Sequence, residues 1–165
     1  KQGKIAGDTR MDIVRAGIGV AVREGAPKPD ISTVEGFKKT MLSINSVAYP
    51  GDGASGIYFV SLLDRMGIGA EMKPKLRPMP GEYNVEVVAT GSVDMVVVVA
   101  SRIYGVPGVD MLGLIPKELQ TWIGFATGIN PQSKHAEAAR ALTKFLSTPP
   151  ADAVLKPIGI EPFVE

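Results

Sequence analysis

Residues 46–67 read SVAYPGDGASGIYFVSLLDRMG. The segment begins as a short apolar strand, Asn45–Tyr49, and passes through the glycine-rich turn Gly51–Gly56. It continues as a helix over Ser55–Met66, with Ile57, Phe59, Val60, Leu62, Leu63 and Met66 apolar and Gly67 suited to the C′ position. A strand that feeds small residues into a helix N-terminus leaves unpaired backbone N–H groups at the end of a sheet. Such a place holds an anion or a polar small molecule without any catalytic side chain. The turn is not a Walker loop, because no Lys-Ser/Thr follows it, and it lacks the GxGxxG spacing of a dinucleotide site. Two readings remain open. Either Ser55 is an ordinary N-cap in a tight turn, or the N–H groups of Ser55, Gly56 and Ile57 and the Ser55 hydroxyl bind a ligand. The C-terminal edge of an open α/β sheet, where this turn should lie, is the usual place for the second.

Working outward, Asp94–Ala100 (DMVVVVA) is the strongest strand pattern in the chain. Its continuous apolar run predicts a strand covered on both faces, as in a parallel α/β sheet. Ile18–Arg23 is a further strand, stopped by Gly25 and Pro27. Ser32 and Glu35 form a capping-box pattern ahead of a helix carrying Val34, Phe37, Met41 and Leu42. Lys75–Pro78 reads as a short strand and Tyr83–Thr90 as a helix closed by Gly91. Val109–Leu114 and Thr121–Gly128 are strand patterns. A helix over Ser133–Ser147, with Ala138, Ala139, Leu142, Phe145 and Leu146 as its apolar stripe, precedes another that starts after Thr148 with Pro149 at N1 and ends before Gly159. The alternation of strands and helices predicts a doubly wound, three-layer α/β fold. Ser101 and Arg102 follow the strong strand and should reach the same sheet edge as the 51–56 turn. Tyr83 and Asn84 follow a Pro-Met-Pro-Gly turn that can bring them to the same cleft.

Composition narrows the function. The chain has 165 residues, a net charge of +1 and 45% hydrophobic residues, so it can build a substantial core and has no broad attraction for nucleic acid or anionic membrane. It has no cysteine, which excludes disulfides, thiol catalysis and Cys-based metal sites. The single histidine, His135, lies in a polar helix-starting segment rather than beside a serine. Asp8, Asp12, Asp52, Asp94 and Asp110 are scattered, and no HExxH or EF-hand pattern is present. No acid–base constellation, metal or cofactor is therefore expected, and a binding function is favoured over catalysis. The first residue, Lys1, is not an initiator methionine, so a processed or shortened N-terminus is expected.

Several segments together resemble a known family: Gly17–Leu42, Ser46–Ile68, Val87–Met95, Pro107–Gln120 and Ala138–Pro162. They resemble the type II periplasmic (extracellular) solute-binding proteins of ABC importers, in the molybdate-binding-like branch. The resemblance implies two α/β lobes that close over a ligand. It places residues 1–23 in a crossover segment of lobe one, 24–120 in lobe two, and 121–165 in a return strand and C-terminal helices packed on lobe one. It implies ligand contacts at Ala54, Ser55, Gly56 and Ser101, and an ABC permease as partner in the periplasm or at the cell exterior. The N-terminal part of lobe one has no counterpart in the sequence, which predicts self-association, an exchange of elements, or an accompanying N-terminal segment. The strong strand carries Val98 and Val99 where relatives often have polar residues, so ligand identity does not carry over. An effector-sensing domain of a bacterial transcription regulator, built on the same fold, is the alternative. An enzyme on this fold is a third reading, disfavoured by the missing acid–base groups.

Overall fold

The computed structural model describes residues 3–80 and 85–163. It divides into two compact units, Gly17–Ile123 on one hand and Lys1–Ala16 with Gly124–Glu165 on the other. The strand β1 (Met11–Arg23) contributes to both, and so does β6 (Trp122–Thr127).

In the unit Gly17–Ile123 the elements run from the second half of β1 through α1 (Val34–Ser43), β2 (Val47–Pro50), α2 (Ala54–Arg65), α3 (Gly69–Met72), β3 (Leu76–Met79), β4 (Met95–Val99) and β5 (Val109–Leu114). The strands are ordered β3-β2-β4-β1-β5. β2 runs parallel to β3 and β4, while β1 runs antiparallel to β4 and β5. The sheet is thus mixed, with its antiparallel pairs around the crossover strand. Alternating side chains serve two cores. Met95 and Val97 join Ile18, Val20, Phe37, Phe59, Leu62 and Leu63 on the helical face. Val96 and Val98 join Ala21, Ala48, Val85, Val88 and Ile103 on the other. The apolar run of β4 is covered on both faces, as its sequence predicts.

Local chemistry shifts several element ends. Thr33, not Ser32, is the N-cap of α1: its hydroxyl accepts from Gly36 N at 3.0 Å. Ser32 instead donates its N–H and hydroxyl to Asp30 Oδ1 at 2.9 and 2.7 Å, an Asx turn that brings the chain into the cap. Helix α2 begins at Ala54 with Gly53 as N-cap, so Ser55 is a first-turn residue rather than the cap. Gly67 takes the left-handed conformation (φ 72°) just past the helix end, as expected. Of the helix expected over Tyr83–Thr90, Tyr83 and Asn84 lie outside the described residues. The rest forms a 3-10 turn, Val85–Val87, that buries Val85 and Val88 beneath the sheet.

Two contacts hold the sheet edge in place. A Cβ on Gly56 would stand 1.7 Å from the Pro50 carbonyl oxygen, so only glycine lets the first turn of α2 sit directly on the end of β2. Across the sheet, β5 ends at Leu114 and the Gln120 carboxamide takes over the pairing with β1. Its Oε1 accepts from Ile18 N at 2.8 Å and its Nε2 donates to Ile18 O at 3.0 Å.

In the other unit, β7 (Ile160–Pro162) pairs with Val14–Ala16 of β1, and β6 also pairs with β1. The helices α4 (Ala136–Leu146) and α5 (Pro149–Leu155) belong to this unit. Val14, Ala16, Ile129 and Ala151 are its buried apolar residues, whereas Leu142 is 59%, Phe145 52% and Val154 69% exposed. The apolar stripe of α4 is present as its periodicity predicts; Ala139 and Leu146 are half-buried, while Leu142 and Phe145 stay exposed.

Replacing Gly56 with alanine is expected to destabilise the fold by about 3 kcal/mol, at the upper end of overpacking costs because the obstacle is backbone. Urea unfolding at pH 7 checks this. Gln120→Ala leaves Ile18 N without its acceptor and is expected to cost about 1–3 kcal/mol in the same measurement. Gln120→Glu keeps an acceptor for Ile18 N but sets a carboxylate oxygen against Ile18 O, which Ile115 N still satisfies, and should fall between the unaltered protein and Gln120→Ala.

Candidate functional site

The candidate site is built on the first turn of α2. β2 delivers the chain to Pro50, the glycine turn reverses it, and Gly53 caps the helix. The Gly53 carbonyl accepts from both Gly56 N and Ile57 N at 3.0 Å. Those two N–H groups, expected to face a ligand, are therefore engaged within the turn. Among the described residues the N–H groups of Ala54 and Ser55 have no acceptor. These remain as outward donors at the positive end of a 12-residue helix.

Ser55 is the distinctive residue. It is only 4% exposed, yet its hydroxyl has no hydrogen-bond partner among the described residues. The hydroxyl oxygen itself keeps solvent access, so it is open to a ligand. Ala54 beside it is exposed, and Ile57 projects to solvent at 62% exposure. The first turn of α2 also lacks an acidic side chain. By contrast α1, α3, α4 and α5 carry Glu35, Glu71, Glu137 and Asp152 there. Those carboxylates offset their helix dipoles, whereas at α2 the nearest acidic residue in sequence is Asp52, ahead of the Gly53 N-cap.

The sheet brings Ser101 to the same edge. β2 and β4 are parallel with Val47 opposite Met95 and Ala48 opposite Val96, so Pro50 and the residues that follow stand level with the end of β4. Ser101 lies in the 3-10 turn Ala100–Arg102 immediately beyond, half-buried and with no hydrogen-bond partner among the described residues. Gly17 and Gln120 occupy this edge through the pairing of Ile18 with Val99. Tyr83, the remaining expected contact, lies outside the described residues. Two positioning groups escaped the sequence reading. Tyr58 donates its hydroxyl to Leu119 O at 2.7 Å, tying α2 to the segment that carries Gln120. Arg65 stacks its guanidinium 5.0 Å above the same Tyr58 ring. Only their i,i+7 spacing on one helix face hinted that they act together.

The two carboxyls with displaced acidity belong to turns. Asp30 is held below the ordinary carboxylate range by the Ser32 N–H and hydroxyl, and Asp110 by Lys28 and then the Gly25 N–H. Among the described residues no group of His, Asp or Glu could hold a metal ion. Among the described residues no helix is long and apolar enough to cross a membrane. The chemistry at the α2 edge is that of uncharged donors around a helix terminus, suited to an anion or a polar solute.

The sequence profile of the bacterial extracellular solute-binding proteins matches residues 1–161. An aconitate isomerase from a Pseudomonas species is 38% identical over 161 residues, which cover 97% of this chain and 61% of that protein. The chain thus spans about three fifths of the length of this curated relative. The Azotobacter vinelandii periplasmic molybdate-binding protein superposes with a TM-score of 0.72 at 15% identity, covering 99% of this chain and 71% of that one. The sulfate-binding protein SubI of Mycobacterium tuberculosis does so at 0.70 and 17%, covering 97% and 62%. At such identities these two structures speak to the fold, which is that of the periplasmic binding proteins. Profile, fold and sheet-edge geometry agree: the chain belongs to the bacterial extracellular solute-binding proteins.

Proposed function

We propose that this chain is the larger part of a receptor for a small anion, held at the first turn of α2. The Ala54 and Ser55 N–H groups and the Ser55 hydroxyl are the donors, and Gly56 seats their turn on the end of β2. Ser101 supplies a further polar contact from the same edge, with Ile57 closing the site on its apolar side. The observation that carries this reading is the solvent-accessible, partnerless hydroxyl of the otherwise buried Ser55, on a helix whose first turn carries no acidic side chain. The ligand class we favour is a small carboxylic acid anion. The relative at 38% identity is named for an aconitate, whereas the molybdate and sulfate binders lie at 15 and 17%.

In the whole protein, residues 24–120 would form lobe two. Residues 1–23 and 121–165 would belong to lobe one, which would close over the ligand. The closed form would present the solute to an ABC permease from the periplasm or the cell exterior. A structural consequence concerns the isolated chain. The exposed Leu142, Phe145 and Val154 should drive it to self-associate, by simple pairing or by exchange of elements, unless further residues of lobe one cover them.

The test is a thermal-shift panel of cis-aconitate, trans-aconitate, citrate, molybdate, sulfate and phosphate. A ligand at one hundred times its dissociation constant should add about 2.7 kcal/mol of stability. Ser55→Ala should lose most of that increment while folding normally. Equal stabilisation of both proteins would assign Ser55 a packing role alone. Light scattering on the 165-residue chain is expected to show dimers or larger species. A monodisperse monomer that binds no hydrophobic dye would overturn that expectation.

A second reading has one specific support, the isomerase name of the relative at 38% identity. It predicts interconversion of the aconitates, followed by proton NMR and abolished by a carboxylate substitution such as Asp52→Asn. Binding of an aconitate without interconversion would decide for the receptor.

A further inference from the structure

We propose a second binding site on the unit Gly17–Ile123, at the opposite edge of the sheet from Ser55, for a small zwitterion with an apolar side chain. An apolar amino acid has this chemistry. The site is a cavity of about 410 Å³ where β1 ends and β2 and β4 begin, lined among others by Val22, Pro27, Ile44, Val93, Arg23 and Asp94. Its size is in the range of small-molecule sites of about 300–1,000 Å³. Val22 and Val93 are buried and, with Pro27 and Ile44, make an apolar floor.

Both charged residues of the lining have unused capacity. The Arg23 guanidinium has no ion-pair or hydrogen-bond partner among the described residues. Gly91 leaves room for it: a Cβ there would stand 3.4 Å from Arg23 Nη1. Asp94 is anchored through one oxygen alone. Its Oδ2 accepts from Asn45 N at 3.2 Å, Ser46 N at 3.0 Å and Ser46 Oγ at 3.1 Å, while Oδ1 has no partner among the described residues. The Ser46 hydroxyl in turn accepts from Asp94 N at 3.0 Å, so the carboxylate is fixed in place. The cavity wall therefore offers one free guanidinium, one free carboxylate oxygen and an apolar floor. A simple anion would be repelled by Asp94 and a simple cation by Arg23, whereas a ligand bearing both charges satisfies both. The ligand carboxylate pairs with Arg23, its ammonium with Asp94 Oδ1, and its side chain covers Val22 and Val93.

This site is independent of the reading at Ser55, and its test keeps the two apart. The chain is titrated with L-leucine while amide chemical shifts are followed by two-dimensional NMR. L-leucine should perturb residues 22–23, 44–45 and 91–94 at millimolar concentration or below. Arg23→Ala should weaken binding tenfold or more, and Ser55→Ala should leave it unchanged. N-acetyl-L-leucine and L-leucinamide, each lacking one charge, should bind the unaltered protein at least tenfold more weakly. Absence of shifts at these residues, shifts confined to the first turn of α2, undiminished binding by Arg23→Ala, or equal binding of a blocked analogue would each overturn the proposal.

Discussion

The seat of Gly56 on the Pro50 carbonyl is the constraint on which the larger unit depends. With no Cβ in the way, the first turn of α2 lies against the end of β2. That approach sets how deep the helix sits, and so brings Phe59, Leu62 and Leu63 onto the sheet. Burying each of these side chains contributes about 1.5–3 kcal/mol. The same approach buries Ser55 without giving its hydroxyl a partner. Core packing and the candidate site are two results of one contact, and a longer side chain at position 56 would disturb both.

β1 has a comparable role at the centre of the sheet. Its second half is almost wholly buried between β4 and β5, and its first half pairs with β6 and β7. Where β5 ends, the Gln120 side chain imitates a strand: it accepts from Ile18 N and shares Ile18 O with the Ile115 N–H. Tyr58 reaches the neighbouring Leu119 carbonyl, so the helix that carries Ser55 is tied by side chain to the segment that clamps β1. A hydrogen-bonded path thus leads from the site helix to the crossover strand within one unit. The other unit differs in kind: its helices are amphipathic, but Leu142, Phe145 and Val154 of their apolar faces stay exposed.

Much of the fold was legible in local pattern. Met95–Val99 announced its two covered faces, because a strand buried on both sides has no polar alternation. Gly67 and Pro149 marked helix ends through backbone geometry that belongs to the residue itself. Other features were not legible. Met11–Arg15 mixes charged and apolar residues and becomes strand because segments more than a hundred residues away supply its ladder. Ile160–Pro162 is strand for the same reason. The choice of Thr33 over Ser32 as cap followed from Asp30 occupying Ser32, a competition that the capping-box pattern does not encode. The run after Asn84 has helical spacing at Val85 and Val88 but too few residues before Gly91 to sustain an α-helix.

The sequence by itself determined the α/β class, the strand–turn–helix unit at 46–67, the absence of thiol chemistry and the place of Ser55 near a helix start. These depend on residue type, spacing and the backbone preferences of glycine and proline, which act over a few positions. Only the tertiary structure decided which donors are free. It engaged Gly56 N and Ile57 N in the turn and left those of Ala54 and Ser55. It also brought Ser101 to the edge where α2 begins, and set the exposed Arg23 and Asp94 along one cavity. Strand pairing between distant segments makes those neighbours, and the hydrogen bonds that remain available depend on which neighbours are present.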